Sequence, residues 1–201
     1  VIDRKALLDD LKQQVKAVET DLGKQVKTLG DDVGARLRAE YERARKLGRT
    51  AATWNSWLDE RVTQVAVAWV LGTVFVRFCE DNHLIPEPYL TGADDDRREL
   101  AEARYEAYVE AEDDPTYRGW LRRAFAELGD GQAGRLLFNS DHNPLYQIPL
   151  SHDGARELVE FWRQRDEAGL LVHDFTDPLN EDGTEGWDTR FLGDLYQDLS
   201  E

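Results

Sequence analysis

Apolar positions in the first thirty residues fall at Leu8, Leu11, Val15, Val18, Leu22, Val26 and Leu29, spaced by threes and fours. That spacing is a helical stripe of near-heptad character, and it predicts a first helix opening at Asp3 as N-cap and ending at Gly30. A second helix follows from Gly34 to Leu47, with Leu37, Tyr41, Ala44 and Leu47 turned inward and Gly48 closing it. The two are expected to form an N-terminal helical hairpin packed on its own domain, with a partner-binding coil as the alternative. Thr53 caps a long third helix through Asn82, carrying Trp54, Trp57, Leu58, Val62, Val65, Trp69, Phe75 and Phe78. Its second half is apolar nearly all round, so this helix must be enclosed by protein and stand at the centre of the fold.

Pro86 and Pro88 break the chain, and the pattern then predicts helices over Asp95–Ala111 and Thr116–Leu128. A loop-rich stretch with Leu136, Leu137 and Phe138 leads to Pro144 and Pro149. Ser151 caps a helix whose stripe is Leu158, Val159, Phe161 and Trp162. Leu170, Leu171 and Val172 read as a short extended segment, and Phe191–Leu199 as a last helix. The fold class is therefore mainly α, one multi-helix domain with a buried central helix and at most minor β structure. The expected divisions are a hairpin arm over 1–50, a helical core over 51–176, a mobile acidic loop over 177–190 and a closing helix over 191–201.

Composition narrows the function. The 201 residues hold 25 basic and 41 acidic side chains, a net charge of −16. Such a surface does not wrap DNA or an anionic membrane as a whole. The first 50 residues differ: they hold 12 basic and 9 acidic side chains and all six lysines of the chain. Any anion-binding face belongs there. The dense cluster Arg36, Arg38, Arg43, Arg45, Lys46 and Arg49 is the candidate for backbone-phosphate contact, although Glu40 and Glu42 dilute it. Ordinary helix-surface pairing is the plainer account of the same residues.

The lone cysteine, Cys79, excludes an intrachain disulfide framework and fits a reducing cytosol as a core thiol. The opening Val1-Ile2-Asp3-Arg4-Lys5 has no apolar leader, and the apolar run Val65–Val76 is too short for a span of about 20 residues. A cytoplasmic location without membrane contact is expected.

Catalytic signals are weak. Gly129-Asp130-Gly131-Gln132-Ala133-Gly134 spells a dinucleotide-loop pattern, but a helix enters it where a strand is needed. Asn143-Pro144-Leu145-Tyr146 resembles the tetrapeptide of amino-methyltransferases, yet Leu145 departs from it and no strand precedes it. That makes it a proline turn with Tyr146 as a packed anchor. His83, His142, His152 and His173 show no metal-ligand spacing and suit capping or loop hydrogen bonds. No catalytic, cofactor or metal residue is assigned.

Two stretches carry a resemblance: the opening VIDRKALLDDLKQQVKAVETDL and TAATWNSWLDERVTQVAVAWVLGTVFVRFCEDNHLI. The later HNPLYQIPLSHDGARELVEFWR, HDFTDP and WDTRFLGDLYQDLSE belong to the same likeness. Together they resemble the N-terminal region of the adenine-specific DNA methyltransferases of phage growth limitation systems, also called type 2 BREX. The ending FLGDLYQDLS is similar to the helix that precedes the catalytic domain in restriction–modification methyltransferases. The resemblance implies an accessory, non-catalytic domain whose chain would continue beyond Glu201 into the methyltransferase domain. It implies S-adenosylmethionine as cofactor of the whole enzyme and none here. Partners would be the downstream catalytic domain, docked by Phe191, Leu192, Leu195, Tyr196 and Leu199, DNA through the full-length protein, and other defence components. The competing reading is a stand-alone acidic DNA mimic or protein-interaction module, for which the charge argues.

Overall fold

The computed structural model describes residues 3–92, 94–131, 138, 144–176 and 190–200. Seven α-helices run through them: α1 (Arg4–Thr28), α2 (Ala35–Lys46), α3 (Trp54–Asp81), α4 (Asp95–Ala111), α5 (Tyr117–Gly129), α6 (His152–Trp162) and α7 (Arg190–Ser200). No strand occurs among the described residues, and a single antiparallel bridge joins Arg165 to Leu171. The mainly α reading holds.

The caps expected from the sequence are in place. The Asp3 carboxylate accepts the Lys5 and Ala6 N–H groups, Thr53 Oγ1 accepts from Ser56, and Ser151 Oγ accepts from Gly154. Each satisfies a donor that the first helical turn would otherwise leave without a partner. Gly48 closes the second helix at φ 70°, with the Arg49 N–H bonded back to the Ala44 carbonyl.

The first junction differs from expectation. Gly30–Gly34 is a single π-helical turn, in which the Val33 and Gly34 N–H groups share the Leu29 carbonyl. The helical path bends at Leu29 (φ −101°, ψ 34°) instead of stopping at Gly30. Past the bend, α2 packs on α3, while α1 packs on α3, α6 and α7. The buried stripe of α1 is Leu7, Leu11, Val15, Val18, Leu22 and Val26, with Leu8 and Leu29 beside it. This face belongs to the common core, so α1 is packed within its own chain. Leu47, expected inside, lies past the end of α2 and is 54% exposed.

Helix α3 is the centre, as its all-round apolar half requires. By length and composition it could cross a membrane, and 78% of its most apolar window is buried inside the protein. Trp69 donates from Nε1 to the Ile148 carbonyl at 3.1 Å and lies tilted on the Phe125 ring. Close approach to α5 depends on Gly72, where a Cβ would stand 2.8 Å from the Phe125 ring.

The segment 163–176 folds back as a tight turn. Asp166 and Val172 N–H groups bond the Leu170 and Gln164 carbonyls; of the expected extended segment 170–172 only Leu171 is bridged, and the chain bends at Val172. The acidic loop expected over 177–190 lies outside the described residues except for Arg190, as do Leu136, Leu137, and residues 132–134 and 139–143 of the two motif regions.

Candidate nucleic-acid interface and docking helix

The basic cluster of the second helix is held by aromatic packing. Tyr41, Trp54 and Trp57 form a three-ring cluster with centroid separations of 5.5, 5.6 and 5.8 Å. The Tyr41 hydroxyl donates to the Ala52 carbonyl at 2.8 Å, fixing α2 across the start of α3. Arg61 lies over the Trp57 ring and reaches Glu40 at 2.6 Å and Gln147 Oε1 at 2.9 Å.

Within this frame the six candidate cations divide into two groups. Arg36 donates to the Gln147 carbonyl at 2.6 Å, and Arg38 pairs with Glu42 at 3.2 Å while covering the Trp54 ring. These two have structural work. Arg43, Arg45, Lys46 and Arg49 are exposed, and none has a carboxylate within ion-pair distance among the described residues. They gather around the C-terminal turn of α2, where the helix dipole favours cations. A polyanion could neutralise these four without breaking an ion pair among the described residues.

Sequence reasoning missed the best-built polar cluster. Arg77, Glu80 and Asp81, on the last two turns of α3, are fully or almost fully buried. Glu80 accepts the backbone N–H groups of Tyr89, Leu90, Thr91 and Gly92 at 2.9–3.2 Å. Arg77 donates to Asp81, to the Trp162 carbonyl and to the His173 carbonyl, and Asp81 accepts the Phe175 N–H at 2.9 Å. Burial pushes the Asp81 carboxyl above its usual range, against the pull of the Arg77 guanidinium. Among the described residues its hydrogen bonds all go to backbone or to another member, and Arg77 lies over the Trp162 and Phe175 rings, so the cluster staples two irregular segments to the central helix. The only sequence signal was a charged triplet closing an apolar helix, R-F-C-E-D.

The described parts of the remaining motifs make packing and capping contacts. Helix α5 runs into the glycine pattern at Gly129, as expected, and Gln132–Gly134 lies outside the described residues. Pro144–Tyr146 is a 3-10 turn with Leu145 buried and Arg122 over the Tyr146 ring. His152 accepts the Tyr117 N–H at 3.1 Å, His173 pairs with Asp10 at 2.8 Å, and His83 closes α3 at φ 55°. His142 lies outside the described residues. No group of three or more metal-ligating side chains occurs among the described residues.

Helix α7 packs on α1 and α3. Leu195 and Leu199 are buried there, and Tyr196 is 51% exposed. The side chains of Phe191 and Leu192 lie outside what the structure describes. Two of the five candidate docking residues are thus used within this chain, and one faces outward.

No family profile matches the chain, and no solved structure matches it. A comparison with characterised proteins gives a different result. Along all 201 residues the chain is 88% identical to the adenine-specific methyltransferase PglX of Streptomyces coelicolor. The sequence resembles PglX throughout. The match bears out the resemblance read from the sequence, and the chain spans 16% of the length of PglX.

Proposed function

We propose that the chain is the N-terminal accessory domain of an adenine-specific DNA methyltransferase of a bacterial antiphage-defence system, non-catalytic by itself. The observation that carries this reading is the 88% identity over the whole chain to PglX, of which the chain makes up 16%. The parent enzyme would transfer a methyl group from S-adenosylmethionine to adenine N6 in DNA, in the cytoplasm. This domain would brace and orient the catalytic module through α7 and touch the DNA backbone through Arg43, Arg45, Lys46 and Arg49. Other components of the defence system are further candidate partners. Support comes from the four exposed cations, which have no ion-pair partner among the described residues, and from the outward Tyr196.

Titration calorimetry tests the division of labour. S-adenosylmethionine added to the 201-residue chain should give no binding heat, while the longer protein should bind it and methylate adenine. Micromolar binding by the 201-residue chain would overturn the reading. Beside the net charge, the DNA-mimic alternative has one structural observation in its favour. Helix α4 exposes Asp95, Glu99, Glu102, Glu106 and Glu110 at spacings of four, three, four and four, which puts them on one face. Inhibition of an unrelated DNA-binding nuclease by the 201-residue chain would favour that alternative.

A further inference from the structure

The lysines of α1 were not among the candidate residues, yet the structure sets them apart. Lys5, Lys12, Lys16, Lys24 and Lys27 are all exposed, and among the described residues none lies within ion-pair distance of a carboxylate. The acidic side chains of the same helix are treated differently. Asp10 accepts from or pairs with His173 Nε2 at 2.8 Å, Glu19 accepts from Thr63 Oγ1 at 3.3 Å, and Asp21 accepts the Ser151 N–H at 2.9 Å and its hydroxyl. Asp21 sits so closely against the start of α6 that a Cβ on Gly154 would stand 2.5 Å from its carboxyl carbon. Three of the four carboxylates on α1 are therefore drawn toward the protein, and Asp9 alone remains exposed. The solvent face left behind is cationic in a chain whose net charge is −16.

Spacing adds to charge. Lys5, Lys12, Lys16 and Lys27 fall on one side of an uninterrupted 25-residue helix. At 1.5 Å per residue, Lys5 and Lys27 are about 33 Å apart along the axis. One turn of duplex DNA is about 34–36 Å. The ends of the row can therefore meet phosphates one helical turn apart, with Lys12 and Lys16 over the backbone between them. Exposed lysines can swing to phosphates at little cost, and neutralising phosphates releases counterions.

We propose that the outer face of α1 is a phosphate-binding face for duplex DNA, continuous in role with the cations at the end of α2. It rests on the DNA-contact reading above and adds the four lysines of this row to it. The contacts are with backbone, so they position the duplex and leave sequence selection to other parts of the enzyme.

Fluorescence anisotropy with a labelled duplex of about three helical turns tests it on the 201-residue chain, with salt varied between 50 and 200 mM. The variants are Lys12→Glu/Lys16→Glu/Lys27→Glu on α1 and Arg43→Glu/Arg45→Glu on α2, with circular dichroism and melting temperature confirming an unchanged fold. The lysine variant should bind at least tenfold more weakly at low salt, equally for unrelated sequences. Its slope of log K against log salt should fall by about three, one for each phosphate that the variant no longer neutralises. If only the α2 variant weakens binding, the α1 face is overturned and the α2 contact stands. If neither variant changes binding, or the duplex is not bound, both fall together. The acidic row of α4 offers a different occupant, a second copy of the chain. Sedimentation showing low-salt self-association that the lysine variant abolishes, with duplex affinity unchanged, would overturn the DNA assignment in favour of that contact.

Discussion

Cys79 lies on α3 one residue before Glu80, inside the core. Burial, reinforced by the Glu80 charge, pushes its thiol from the ordinary 9.0 up to about 12. A thiol in that state is neither a nucleophile nor a metal ligand at neutral pH, which agrees with a packing role. The shift also fixes the sign of a pH effect. Well below pH 9 the thiol is protonated in both folded and unfolded chains and contributes no slope. Between 9 and 12 the unfolded chain ionises first, so stability falls as pH rises, by about 1.4 kcal/mol per pH unit. Urea unfolding between pH 9 and 11 should show this decline in the parent chain and a shallower one in Cys79→Ala. Parallel declines would mean that the thiol reaches water in the folded state.

Among the elements, α3 sets the stability of the whole. Trp69 is 1% exposed, packs on Phe125 and bonds the Ile148 carbonyl, so it joins three parts of the chain. Trp69→Ala should cost about 3–5 kcal/mol through the cavity and the carbonyl left without its donor. A shift in melting temperature of less than a degree or two would show that the site collapses around the gap. Most elements were legible because their signals are local. The apolar stripe of α1 and the caps Asp3, Thr53 and Ser151 each depend on residues a few positions apart. The bend at Leu29 was not legible, because Gly30-Asp31-Asp32 spells a helix end as well as a π turn. Nor was the burial of Arg77, Glu80 and Asp81, whose partners come from segments 89–92 and 162–175 that carry no period. The candidate interface was legible in position alone. That Arg36 is tied to Gln147, 111 residues away, while Arg43 is exposed with no ion-pair partner among the described residues, depends on tertiary packing.

At the scale of the molecule, the outstanding relation is between α7 and what it meets. An isolated helix of 11 residues is marginal in water, so packing must hold it. Leu195 and Leu199 provide that packing on α1 and α3, two apolar anchors one turn apart. Beside these anchors, Tyr196 leaves an aromatic ring half in water. If α7 orients a catalytic module, that module should cover Tyr196 and supply the missing burial. Hydrogen exchange at 193–200 should then be fast in the 201-residue chain and at least tenfold slower in the longer protein. Tyr196→Ala should leave the melting temperature of the 201-residue chain unchanged and restore fast exchange in the longer one. Equal protection in the two proteins, with no effect of the substitution, would assign α7 wholly to this domain and remove its docking role.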